Sequence, residues 1–351
     1  MTRGTRGLVL AAVLAVLALV GIVLSSMLGQ LAISPTEVVG SVLRAAGIPN
    51  GWAPTDPIVE STLWVVRFPR ILMGLAVGAA LAVAGAVMQA IFGNPLAEPG
   101  VVGVSSGAAL GASIAIVLGA GALGFGALGS GTIAILAFVG GLGATLLVYG
   151  VSRANGRTEV VTLLLTGIAV NAFAGAGLAF LLFIADSGSR EQIVFWQLGS
   201  LNGSRWFEVG IVVVVAVVGT VIAIILGRRF DLLALGERNA RHLGVDVEKL
   251  RIGSIVLVAL LTGAAVAFCG IIAFVGLVVP HAMRMAIGPS HRPLIVASAA
   301  GGGVLLVFSD LLARNVVQGA DLPIGLLTSL VGGPFFFFLL FRQRRRSGGW
   351  L

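Results

Sequence analysis

Ten long apolar runs, separated mostly by short polar connections, account for most of this chain. A helix crosses a bilayer in roughly 20 apolar residues. Runs at Leu8–Leu28, Ile71–Ile91, Val101–Leu118, Ile133–Val151, Val160–Ile184, Val209–Leu226, Ile252–Phe268, Ile271–Met285, Leu294–Leu312 and Leu322–Phe341 reach or approach that length. The eighth is short and carries Pro280, which suits a half-crossing. The pattern predicts an all-α, polytopic membrane protein with about ten transmembrane helices in one domain, 1–351. Residues 30 to 66 form the longest polar connection, where Pro35, Pro49, Pro54 and Pro57 discourage long helices. The abundance of Gly and Ala predicts helices packed closely on one another.

Composition sharpens that picture. A hydrophobic fraction of 58% with only 10% charged residues excludes a soluble globular domain. The net charge of +8 suggests nucleic acid at first sight, but its distribution argues for topology instead. With both termini in the cytoplasm and ten alternating crossings, sixteen of the 22 Lys and Arg residues fall on the inner side. The exceptions are Arg44, Arg67, Arg70, Arg190, Arg205 and Arg314, so the basicity follows the positive-inside bias and no nucleic-acid partner is expected. Trp64, Trp196 and Trp206 fall at outer span ends, as an aromatic belt does. The first run, preceded by Arg3 and Arg6, is longer than a signal-peptide core and lacks a small-x-small cleavage site, which favours a retained helix. Arg342 to Arg346 form a charged stop at the inner membrane surface. The lone Cys269 rules out an intrachain disulfide and a cysteine metal cluster, and reads as a small packing residue.

The densest region runs from Arg67 to Ala112. Gly74, Gly78 and Gly85 lie near one helix face, where another backbone can come close, and Gly103, Gly107 and Gly111 repeat the device. Gln89, polar within a span, either lines a pathway or makes an interhelical hydrogen bond. Asn94 to Gly100 reads as a compact cytoplasmic turn, bounded by Pro95 and Pro99 with Gly100 at the reversal; it is either a pore closure or only a turn. Gly78-Ala79-Ala80 with Gly85 echoes Gly263-Ala264-Ala265 with Gly270 in a span of opposite direction, as an inverted repeat would. Arg67 and Arg70 stand at the N-terminal end of their span, against both the helix dipole and the positive-inside trend. With Arg314, they form either a basic outer rim for acidic groups or, in Arg314, a local pair with Asp310.

Between the sixth and seventh runs lies DLLALGERNARHLGV, Asp231 to Val245. Gly236 is expected to divide it into two short helical pieces. Leu232, Leu233 and Leu235 supply apolar knobs among Glu237, Arg238 and Arg241, a surface suited to a groove on a soluble protein; the plain alternative is an interfacial amphipathic helix. The chain's one lysine, Lys249, sits outside any phosphate-binding loop, so no ATP-hydrolysing site is expected. His242, His281 and His291 lack metal-ligand spacing, and no nucleophile–base constellation emerges, so neither a metal site nor an enzyme is expected.

The run RxPR…GAALAxxGxxxQ…NPLAxPGxxGVSSGA resembles the FecCD family of ABC-transporter permeases, importers of ferric siderophores, haem and cobalamin. Trp196 to Leu201, the LALGERNARHLGV loop, Phe274 to His281 and Asp321 to Gly325 extend the resemblance in order to the last span. It implies a type II importer permease of ten helices, working as a homodimer in the cytoplasmic membrane. It also implies two ATP-binding cassette subunits inside, holding ATP and Mg, and a substrate-binding protein outside. By position, Arg67, Arg70 and Arg314 resemble the arginines that receive the binding protein. Asn94 and Leu96 resemble its cytoplasmic gate, with Thr162 at the start of the fifth span as another position for it. Residues 231 to 245 resemble its coupling helices: Leu232, Leu233, Leu235, Gly236, Glu237, Arg238 and Arg241. The GVSSGAALGA and RHLGVDVEKLR segments and the C-terminal Gly-Gly-Trp look like haem permeases, so an iron chelate, haem or ferric siderophore, is the expected cargo and cobalamin the alternative. An ion-coupled secondary transporter would place acidic groups inside spans; here Asp186 and Asp310 fall near span ends and the other acids in loops.

Overall fold

The computed structural model describes residues 3–122, 131–154, 157–317 and 319–346. All ten apolar runs lie on helices. The elements are α1 Arg3–Met27, α2 Pro35–Ala45, α3 Pro57–Ser61, α4 Phe68–Phe92, α5 Val104–Ala122, α6 Gly131–Val151 and α7 Val160–Ile184, followed by α8 Ser187–Leu198, α9 Trp206–Leu233, α10 Glu237–His242, α11 Val247–Cys269, α12 Val275–Ile287, α13 His291–Asn315 and α14 Ile324–Arg346. Strand pairing among the described residues is confined to Arg153–Ala154 with Arg157–Thr158. Among the described residues, seven helical stretches are long and apolar enough to cross a membrane. The α12 helix, at 13 residues, spans about 20 Å, short of a bilayer's hydrocarbon core of roughly 30 Å, as expected for the eighth run. The C-terminal Gly-Gly-Trp lies outside the described residues.

The second span begins earlier than its apolar run. Pro57 starts α3, which continues through a π-helical turn, Thr62–Arg67, into α4. Pro35 and Pro57 open helices rather than preventing them, because the first helical position needs no N–H partner. Arg67 and Arg70 consequently sit well inside a continuous helix, and the unfavourable dipole position expected for them does not exist.

The core is organised around α4, whose apolar window is 83% buried against 11% for α1 and for α7. Its glycines explain the close packing. A Cβ built on Gly78 would stand 2.1 Å from the Gly302 carbonyl oxygen of α13, and one on Gly85 would meet the Gly276 carbonyl of α12. Between α5 and α6, Gly107 and Gly140 abut in the same way. Gly103 departs from its expected role: with φ +81° it ends a 3-10 turn, Pro99–Val102, ahead of α5. The internal echo also fails, since Gly85 is a mid-helix contact whereas Gly270 terminates α11 with φ +68°. Cys269 is buried in the core, as expected.

One end of the bundle gathers the C-terminus of α1, α2, α3, the start of α9 and the C-terminus of α13; we call it the arginine end. The other gathers the C-terminus of α9, α10 and the starts of α11 and α13, and is called the loop end. Trp206 Nε1 donates to the Trp64 carbonyl at 2.7 Å at the arginine end. Trp196 does not join that pair; it packs on α8 against the core shared by α5, α6 and α11.

Candidate functional site

At the arginine end, all three arginines turn inward. Arg70 and Asp310 are 4% and 2% exposed, and Arg70 Nε donates to Asp310 Oδ1 at 2.9 Å. Arg70 Nη1 reaches Asp321 Oδ2 at 2.7 Å, joining α4 to the segment before α14. Arg314 Nε lies 3.1 Å from Asp310 Oδ2 and its Nη2 donates to Ser25 at the end of α1. Arg67 donates to the main-chain carbonyls of Ser26 and Leu31. The Asp310–Arg314 pair is therefore present, but as part of a buried network joining three elements, and the exposed rim is not. Three guanidinium groups face two carboxylates, and Arg67 has no carboxylate partner among the described residues.

At the loop end, Gly236 does break the helix, with φ +99°, but only on one side is there a separate piece. Asp231, Leu232 and Leu233 belong to the last turn of α9, because Phe230 and Leu233 still face the core and prolong it. Leu233 is 8% exposed and is a core residue rather than a knob, and Leu232 is half-buried. Leu235, 60% exposed, and Leu243, 57% exposed, present the apolar surface. Gly236, Glu237, Arg238 and Arg241 are exposed around them. Sequence reasoning missed the brace behind this helix. Glu237 Oε1 accepts from Arg251 Nη2 at 2.6 Å, and Arg251, on α11, is only 5% exposed. Arg241 also reaches Glu237, at 3.2 Å. Asp231 Oδ1 accepts from the His291 main-chain N–H at 2.9 Å and lies 2.8 Å from its Nδ1, fastening α9 to α13. Asp246 caps α11; the Lys249 main-chain N–H, assisted by its ammonium group, holds that carboxyl below the usual range.

The segment joining α4 to α5 is not a surface turn throughout. Asn94 is exposed and its Oδ1 accepts from Leu96 N at 3.0 Å, a local Asx turn. Reversal comes from Gly93 and Gly103, both at positive φ, rather than from Gly100. Beyond Ala97 the chain climbs back into the bundle. A Cβ on Gly276 would lie 3.1 Å from Pro99 Cδ and 2.9 Å from the Leu81 carbonyl, midway along α4. Asn171 Nδ2 donates to the Gly100 carbonyl at 3.4 Å, and Asn171 stands about 17 Å from the start of α7 at 1.5 Å per residue. Glu98, placed by the sequence in a loop, is thus at bilayer depth. Thr162, the other gate position, is half-buried near the start of α7 and bonds Glu159 at 3.1 Å. Gln89 makes the interhelical bonds foreseen as one alternative, donating to the Leu277 carbonyl at 3.3 Å and accepting from Arg284 at 3.2 Å. Among the described residues no group of three His, Cys, Asp or Glu could hold a metal ion.

The structure is thus a bundle of helices, seven stretches of it among the described residues long and apolar enough to cross a membrane, with an exposed polar helix braced at one end. Residues 17–342 match the FecCD transport family, and the chain belongs to it. It is 40% identical over 84% of its length to the cobalamin import system permease protein of Halobacterium salinarum, covering 76% of that protein. It is 42% identical over 78% of its length to the hemin transport system permease protein of Yersinia pestis, covering 81% of it. A solved structure described as an inward-facing conformation of a candidate metal-chelate type ABC transporter superposes with a TM-score of 0.81 at 32% identity, covering 95% of this chain and 99% of that one. The chain is accordingly a multi-pass membrane permease subunit of an ABC importer, not itself an enzyme, with its ATPase in partner chains and a dimeric permease at its centre.

Proposed function

We infer that this chain, paired with a second copy, carries a metal chelate from an external binding protein to the cytoplasm, powered by two ATP-binding cassette subunits that hold ATP and Mg. The cargo is haem, a ferric siderophore or cobalamin, in keeping with relatives named for hemin and for cobalamin. The observation that carries this reading is the exposed α10, with Leu235 and Leu243 at its edges and a buried Arg251 behind Glu237. An apolar contact ringed by charge suits a groove on a soluble motor, and the ion pair from the exposed Glu237 to the buried Arg251 ties the helix to the bundle so that a push on α10 moves α11.

At the arginine end, Arg67, Arg70 and Arg314 are the groups that would receive the binding protein's carboxylates. Their surplus over Asp310 and Asp321 leaves Arg67, held only by carbonyls, as the first cation available to an incoming anion. Asn94 and Leu96, meeting their symmetry mates, would close the path at the loop end, with Thr162 flanking them. Co-expression with the ATPase and binding protein, followed by reconstitution, tests the reading. ATP-dependent accumulation of a chelate is expected, lost when the binding protein is omitted. Accumulation driven by an ion gradient without ATP would overturn it.

A further inference from the structure

Two adjoining recesses flank the re-entrant segment at bilayer depth. The outer one, about 400 Å³, is lined on its polar side by Glu98, Ser105, Ser106, Asn171 and Gln197, drawn from the re-entrant segment, α5, α7 and α8. The inner one, about 120 Å³, shares Glu98 and Ser105 and adds Thr262 of α11. Thr262 is 2% exposed and its hydroxyl has no hydrogen-bond partner. Glu98 folds back over Gly100, where a Cβ would come within 3.2 Å of its Oε1, and none of the ion pairs or hydrogen bonds of the described residues engages its side chain.

Polar groups at this depth are tolerated where they face water or a polar ligand, not acyl chains. The contrast with the larger groove beside α1 is clear, because that groove, about 640 Å³, is lined by apolar and small residues alone. The Glu98 cleft is therefore suited to a polar occupant rather than to acyl chains. Its chemistry is one-sided. Hydroxyls and amides both donate and accept hydrogen bonds. The one ionisable group in either recess is a carboxyl, and neither lining contains Arg, Lys or His. In either protonation state Glu98 cannot serve as counter-ion to an anion. An anionic cargo here would be stripped of water without a compensating charge, which is costly at low dielectric.

We propose that the Glu98 cleft is a cargo-contact site on the translocation path that takes an uncharged metal chelate bearing amide or hydroxyl groups and disfavours a polyanionic one. Glu98 is then a specificity-determining residue, and Asn171 and Gln197 supply hydrogen bonds to the cargo's periphery. The inference rests on the importer reading and narrows its cargo.

The test uses the complete complex in proteoliposomes and four chelates: uncharged ferric trihydroxamate and cyanocobalamin, and anionic ferric tricatecholate and haemin. Because the binding protein imposes its own choice, equilibrium binding to the permease–ATPase complex without it is measured alongside uptake. The transported and bound chelate is expected from the uncharged pair, with a preference of roughly tenfold or more over the anionic pair. Glu98→Gln should narrow that preference. Gln197→Arg, which supplies the missing counter-ion, should raise binding of the anionic pair relative to the uncharged pair. Preference for an anionic chelate, or a preference indifferent to both substitutions, would overturn the cleft assignment and leave the importer reading standing. ATP-driven uptake of none of the four would defeat the importer reading itself, and this inference with it.

Discussion

Asp310 is the residue on which the arginine end depends. It accepts from Arg70 at 2.9 Å and lies 3.1 Å from Arg314, and all three side chains are at most 9% exposed. Removing one partner from such a pair leaves an uncompensated charge and destabilises by about 3–5 kcal/mol. Asp310→Ala should therefore lower the denaturation midpoint of the purified chain substantially, whereas Asp321→Ala, at a side chain 29% exposed, should change it far less. Equal, small effects would mean the network contributes little to holding α4 and α13 together. Only part of this network was legible in the sequence. The Asp310–Arg314 pair follows from i, i+4 spacing, but Arg70 and Asp321 are separated by 251 residues and no local pattern links them. Glu98 was misplaced for a related reason. Prolines and an Asn-Pro step mark a turn, and a turn reads as surface; the climb back into the bundle depends on Pro99 finding room beside Gly276, a tertiary fact.

At the scale of elements, hydrophobic runs located every span because a bilayer demands length and apolarity and little else. Their ends were less legible. The helix through Arg67 and Arg70 begins at Pro57, since polar residues such as Glu60 can be accommodated at a helix start outside the hydrocarbon, and α9 continues past Arg228, Arg229 and Asp231 because Phe230 and Leu233 still find the core. This separates two leucines that look alike in sequence. Leu233→Asp places a charge in the core and should reduce yield of folded permease. Leu235→Asp changes an exposed side chain and should leave folding and insertion intact, as read by size-exclusion behaviour and thermal denaturation. Comparable losses in both variants would refute the distinction. The brace from Glu237 to Arg251 was missed because its two residues flank a turn, a Gly244 at positive φ and the Asp246 cap, and face each other only once that turn is made.

For the molecule as a whole, the two ends are joined by helices with close backbone contacts, and the importer reading proposed above calls for a path between them that opens at each end in turn. Symmetry in a dimer would bring two copies of the Asn94–Leu96 turn together. Asn94→Cys in a Cys269→Ser background is expected to crosslink across the dimer, more readily when the cytoplasmic side is closed; absence of crosslinking in every nucleotide state would move the gate to another element, Thr162 and the start of α7 first. The central claim is that this chain converts hydrolysis in a partner into movement of a chelate, and that α10 is where the conversion enters. It is tested most directly by the number of chelate molecules taken up per ATP hydrolysed in reconstituted complexes carrying wild-type permease or Leu235→Asp. The account predicts that the ratio falls sharply in Leu235→Asp while the permease remains folded and inserted. An unchanged ratio, with the ATPase still bound, would contradict it.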